Sequence, residues 1–192
     1  MFIESITKEA LADLPLHAFD GEIALVENER QYDAAINYLK NQEVLGFDTE
    51  TKPSFKRGQV NQVALLQLAT SEKAFIFRIN KIGLPNRLKN ILSNENITKV
   101  GVAIRDDIKT LQKVNPFTPG GFIELQDEVK DHGIQDFSLK KITGIVLGFR
   151  ISKSQRLSNW ESDDLTDAQL SYAATDAWVS CEIFNSLIEA QS

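Results

Sequence analysis

Cysteine is nearly absent: the 192 residues hold only Cys181, which excludes an intramolecular disulfide framework, and with only His17 and His132 beside it no ligand set for a structural zinc remains. No apolar run reaches the length of a membrane span, so no membrane association is expected. Residues 1–16 alternate acidic and apolar side chains and lack the basic start and apolar stretch of a signal peptide. These absences set the expectation of a cytoplasmic protein. Positive charge is also scarce, with 21 Lys and Arg against 27 Asp and Glu for a net charge of −6. A simple nucleic-acid coat is thereby disfavoured, since such modules carry a basic excess that displaces counterions from phosphate. Processing of nucleic acid stays open, because bound metal ions can supply local positive charge. Repeats, low-complexity tracts and Ser/Pro-rich linkers are missing too.

What is present is a 42% apolar chain, long enough for one well-buried core. Short apolar runs alternate with amphipathic stretches, the pattern of α/β architecture. The runs predict strands over 23–26, 44–49, 63–69, 74–79 and 99–103. Between and after them, helices are predicted over 29–40, where Tyr32, Ala35, Ile36 and Leu39 share a face, over 85–92, and over 166–188 with Asp167 in the first turn. The middle strands are too close in sequence for crossover helices, so the sheet is expected to be mixed. Residues 1–20 read as an N-terminal extension packed on a single domain, 21–192.

Three acidic motifs stand out. In Val44-Leu45-Gly46-Phe47-Asp48-Thr49-Glu50, the pleat points Asp48 and Glu50 to the same side. Like charges that close need a shared proton or a cation between them, and hard divalent ions prefer such oxygens. Taken alone, the pair also fits a solvated strand end. In the segment Lys99 to Leu111, Asp106 and Asp107 compete; Ile104, Ile108 and Leu111 form an apolar face that Asp107 borders, whereas Asp106 points nearly opposite. Both would also suit a helix N-terminus. In Tyr172-Ala173-Ala174-Thr175-Asp176-Ala177-Trp178-Val179, Tyr172 and Asp176 share a face at i, i+4, and apolar surroundings make a bare carboxylate costly. A structural Tyr–Asp hydrogen bond accounts for this motif as well.

Together, Phe47-Asp48-Thr49-Glu50, the Val100-Gly101-Val102 strand with Asp107, and Tyr172-Ala173-Ala174-Thr175-Asp176 resemble the three exonuclease motifs of the DEDD superfamily. The tyrosine makes the chain similar to the DEDDy branch of ribonuclease D-like and Werner-type exonuclease domains. The segments Val63 to Ala69 and Leu157-Ser158-Asn159-Trp160 add to the match, which runs from about residue 23 to 187. The resemblance implies a ribonuclease-H-like mixed sheet of about five to six strands flanked by helices. It further implies 3′-to-5′ hydrolysis of terminal phosphodiester bonds in DNA or RNA, releasing nucleoside 5′-monophosphates by a two-metal-ion mechanism with Mg²⁺ or Mn²⁺. Carried over by motif, Asp48, Glu50 and Asp176 would hold the first ion and Asp48 the second. Asp107 would support that second ion directly or through water, and Tyr172 would orient the attacking water.

Between Phe137 and Trp160 lie Lys140, Lys141, Arg150, Lys153 and Arg156 with no acidic residue. Lys153 and Arg156 precede the last helix and are candidate phosphate contacts, with a solvated loop as the alternative. Phe55 and Arg57, after the first motif, are further candidates to touch nucleic acid. Trp160, Trp178 and Cys181 read as core, and His132 before Gly133 as a helix end. Rival readings are a different two-metal nuclease on this fold, and a nucleic-acid-binding or scaffold module that has lost the chemistry. The partner expected is a nucleic acid with a free 3′ end, with no obligate protein partner.

Overall fold

The apolar runs assemble into one six-stranded sheet of order β1-β4-β3-β2-β5-β6, built from β1 (Glu22–Val26), β2 (Val44–Thr51), β3 (Val63–Ala69), β4 (Lys73–Arg78), β5 (Thr98–Gly101) and β6 (Phe122–Glu124). The structure is a computed structural model that describes residues 2–54 and 61–191. β3 runs antiparallel to both β2 and β4, and among the described residues no helix lies in the links that join it to them. The other pairings, β1 with β4, β2 with β5 and β5 with β6, are parallel and are reached through helices. The sheet is mixed, as the connection lengths require.

Two layers of helix cover it. On one face α2 (Glu29–Leu39), α4 (Asn86–Ser93) and α5 (Ile104–Val114) place Ile36, Leu39, Leu88, Leu92, Ile104 and Leu111 against Leu45, Phe47, Leu66 and Leu68. On the other, α8 (Asp167–Glu189) lays Ala173, Ala174 and Ala177 against Leu65, Ala69 and Ile76. Each Leu, Ile or Phe buried this way contributes roughly 1.5–3 kcal/mol. α8 starts where its chemistry predicts: Thr166 caps it, with Gln169 completing a capping box.

Several boundaries differ from the sequence reading. The second-motif strand ends at Gly101, because Ala103 adopts a left-handed conformation (φ 60°) that stops extension and launches α5. The strand expected to reach residue 79 ends at Arg78, and Ile79 opens the short α3 (Ile79–Ile82). Pro85 caps α4 rather than lying within it. Not foreseen were α1 (Lys8–Asp13), the three-residue β6 and α7 (Leu139–Leu147), while of α6 (Leu125–Asp131) only the end at His132 and Gly133 is legible in the sequence. β6 is too short, and α6, with Leu125 and Val129 as its buried residues, too sparse to carry a clear period.

The N-terminal segment lies against α7 and α8. A Cβ on Gly144 of α7 would come within 2.5 Å of Leu11, so glycine there admits α1. The Ile6 N–H donates to the Asp136 carboxylate (2.9 Å), Arg150 Nε to the Leu14 carbonyl (3.0 Å), and the Phe19 N–H to Thr175 Oγ1 of α8 (3.0 Å). Among the described residues no helix is long and apolar enough to cross a membrane.

Candidate metal centre

Gly46, Asp48 and Glu50 alternate onto the face of β2 that α8 covers. A Cβ at Gly46 would overlap the Ala177 carbonyl oxygen and come within 3.0 Å of the Cys181 backbone nitrogen. The missing side chain is therefore what lets α8 lie directly on the strand, which delivers Asp176, one residue before that carbonyl, beside Asp48. Asp48, Glu50 and Asp176 each offer a carboxylate oxygen, and these three atoms lie within 4.8 Å of one another.

Such a cluster is electrostatically unfavourable by itself. Burial, then repulsion from Asp176, Glu50 and Asp107, raises the Asp48 pKa well above the ordinary carboxylate range. Burial followed by the charges of Asp176 and Asp107 pushes Glu50 up to about 8. Asp176 rises to about 7 through burial, held back by its hydrogen bond from Tyr172 and by the Lys153 cation. At neutral pH the group either retains protons or takes a cation, and its all-oxygen donors suit a hard divalent ion.

Asp107 stands outside that tight triad and reaches it from the opposite face of the sheet. Its carboxylate accepts a short hydrogen bond from Thr49 Oγ1 of β2. Burial lifts it to about 6, opposed by the Thr49 bond. Asp106, 91% exposed at its side chain, points to solvent, as the helical phase predicts. The first turn of α5 is fixed by Glu124 at the end of β6: its carboxylate accepts the N–H groups of Ala103 (2.8 Å) and Ile104 (2.9 Å). β5 is drawn close to β2 at the same level, since a Cβ on Gly101 would come within 2.5 Å of the Phe47 carbonyl oxygen.

Tyr172 donates its hydroxyl to Asp176 and packs on Trp160, the ring centroids 5.9 Å apart. Burial and the neighbouring carboxylates push its pKa upward, so it remains a phenol. A pocket of about 190 Å³ opens beside the pair, lined by His17, Ser152, Ser154, Ser171 and Thr175 among others. Lys153 is exposed yet close enough for its charge to act on Asp176; Arg156 is exposed on the same loop with no direct tie to the triad. Lys141 is paired with Asp136, and Arg150 is bonded to the N-terminal segment. Phe55 and Arg57 lie outside the described residues.

Trp160 and Cys181 are buried, and His132 ends α6, as their sequence contexts predict. Trp178 is half-buried and stacks with Phe149 (5.8 Å, 12°). Thr49 and Glu124 escaped the sequence reading. Thr49 sits inside the first motif as a spacer between its two acids, and the Glu124 partners lie 20 and 21 residues away without a periodic signal.

The family model described as 3′-5′ exonuclease matches residues 23–190. The chain is 36% identical over 155 residues to the Mus musculus bifunctional 3′-5′ exonuclease/ATP-dependent helicase WRN, covering 78% of this chain but spanning only 11% of that protein's length. The crystal structure of the Aedes aegypti Nibbler EXO domain superposes with a TM-score of 0.81 at 24% identity, covering 90% of this chain and 91% of that one. Escherichia coli RNase D superposes with a TM-score of 0.77 at 23% identity, covering 86% of this chain and 44% of that one. These two likenesses establish the fold, a ribonuclease-H-like mixed sheet flanked by helices. With the family model spanning residues 23–190, the chain belongs to the 3′-5′ exonuclease domain family.

Proposed function

We propose that this chain removes nucleotides from the 3′ end of nucleic acid by a two-metal-ion hydrolysis of the terminal phosphodiester, releasing nucleoside 5′-monophosphates. The observation that carries this is the triad of Asp48, Glu50 and Asp176 oxygens within 4.8 Å, with Tyr172 bonded to one of them. Buried carboxylates raised by their mutual repulsion are a donor set that gains from Mg²⁺ or Mn²⁺, so the residues fit the ions the family implies. Asp48, Glu50 and Asp176 would hold the first ion, and Asp48 the second with support from Asp107. When bound, such ions acidify water and stabilise the charge on attacking and leaving oxygens.

The remaining work falls to the chain itself. Tyr172, held as a phenol against Trp160, orients the attacking water through its hydroxyl and leaves the proton-taking to others. Lys153 and Arg156 draw the phosphate backbone towards a protein whose net charge of −6 would otherwise repel it. Glu124 and Thr49 hold Asp107 in place.

Labelled DNA and RNA, incubated with Mg²⁺ or Mn²⁺ and with EDTA, test the reading. A ladder of products shortening from the 3′ end, abolished by EDTA, is expected. Asp48→Ala and Asp176→Ala should each lower hydrolysis by more than the roughly 10–100-fold typical of groups around a metal site. Internal cuts would assign a different nuclease, and wild-type rates in either variant would remove the triad from the chemistry.

A further inference from the structure

β3 reads Val-Ala-Leu-Leu-Gln-Leu-Ala, all seven residues are buried, and Gln67 is its single polar side chain. The antiparallel register sets Gln67 directly across from Asp48 on β2 and from Ile76 on β4. Residues paired this way leave the sheet on the same face, so the Gln67 amide shares the layer beneath α8 with the Asp48 carboxylate. Gln67 is 0% exposed, and neither its Nε2 nor its Oε1 has a hydrogen-bond partner.

An amide buried without a partner costs roughly 1–3 kcal/mol on mutational scales. Leucine or methionine would pack among Leu65, Ala69 and Ile76 without that cost. Directly opposed side chains have Cβ atoms about 4.5–5.5 Å apart, a gap that a glutamine side chain can cross. The residue set opposite it carries a carboxylate, which as an anion accepts hydrogen bonds and has several lone-pair positions to fill.

We infer that Gln67 is a positioning residue for Asp48: its amide N–H, unpartnered in this structure, is set to donate to the Asp48 carboxylate when a divalent cation binds, fixing that side chain's orientation towards the ion. The inference rests on the metal-binding reading of the triad. It makes Gln67 an outer partner of a ligand, the kind of group that sets how well a first ligand performs.

Titration of metal-free protein with Mn²⁺, followed by electron paramagnetic resonance, reads this without turnover. Gln67→Met should weaken Mn²⁺ binding by about 10–100-fold, while thermal unfolding of the metal-free protein stays the same or moves up because an unpaired amide is gone. In an Asp48→Asn background the same substitution should change Mn²⁺ binding no further, since the carboxylate it serves is absent. A wild-type Mn²⁺ isotherm in Gln67→Met overturns the inference. So does an equal loss in both backgrounds, which would mean that Gln67 acts through the fold or through the Trp160 Nε1–H, another unpartnered donor of that layer. Should the Met variant fail to fold, Gln67→Asn, which keeps the amide but shortens its reach, supplies the same comparison: weakened binding supports the inference and an unchanged isotherm overturns it. Wild-type protein that takes up no Mn²⁺ would overturn the metal reading itself, and is separable from a wild type that binds while the variant binds equally well.

Discussion

Asp176 and Asp107 come to β2 from opposite faces of the sheet, carried by helices of 23 and 11 residues. α8 is positioned by packing: Gly46 removes the side chain that would separate it from the strand, and Ala173, Ala174 and Ala177 continue the close fit. α5 is positioned by hydrogen bonds: Glu124 accepts from the N–H groups of Ala103 and Ile104 where the helix begins, and Thr49 holds Asp107 itself. The electrostatic settings differ as well, since Lys153 attends Asp176 whereas the charges facing Asp107 include Asp106 and Glu124. A carboxylate set by packing keeps its place as long as the core does. One set by hydrogen bonds can lose its place while the core stays intact.

The largest expected effect breaks the packed side. Gly46→Ala puts a methyl into the Ala177 carbonyl and should cost about 3 kcal/mol or more, at the upper end of overpacking penalties. A thermal melt should drop by many degrees, and activity should fall with it. Retention of wild-type stability would mean that α8 can shift off the strand.

Next comes the charge cluster shared by both sides. An acid whose folded pKa is raised keeps a proton that the unfolded chain has released, so folded stability falls as pH climbs from the unfolded value towards the folded one. With Asp107 at about 6, Asp176 at about 7 and Glu50 at about 8, metal-free protein should lose stability between pH 5 and pH 8. The loss should be on the order of a few kcal/mol. Saturating Mg²⁺ or Mn²⁺ should flatten the slope, because the ions replace the protons. Melting curves across that range, with EDTA and with metal, decide it. A slope that metal leaves untouched would place the titration elsewhere.

Smaller effects belong to the hydrogen-bonded side. Glu124→Gln keeps the shape but weakens a charged cap, for a stability loss of about 1 kcal/mol. Activity should nevertheless fall disproportionately, since Asp107 moves with the start of α5. Equal and small losses in melting temperature and kcat would show that α5 needs no clamp.

The smallest change concerns Lys153 and Arg156. Replacing both with Ala should leave the melt unchanged and weaken substrate binding modestly. The slope of log affinity against log salt should become shallower by roughly 0.7–0.9 for each phosphate that is no longer neutralised. An unaltered slope would mean that the basic loop faces solvent alone.

Much of this architecture is legible in the sequence because it repeats along the chain. The period of two places Asp48 and Glu50 on one side of a strand, the helical period chooses Asp107 over Asp106, and Asp167 in the first turn marks the start of α8. The elements that escaped are short or weakly periodic, such as β6 and all of α6 but its end at His132. Thr49 escaped for another reason, as its partner lies 58 residues away.

The sequence by itself determined the α/β alternation, the mixed sheet, and the residue types able to gather a hard cation, because local periodicity and side-chain chemistry are written residue by residue. Tertiary structure alone decided that Gly46 is the seat of α8, that Glu124 and Thr49 anchor Asp107, and that Gln67 lies opposite Asp48 without a partner. Each of those depends on an approach between segments far apart in the chain, and no local pattern encodes which distant atom will arrive.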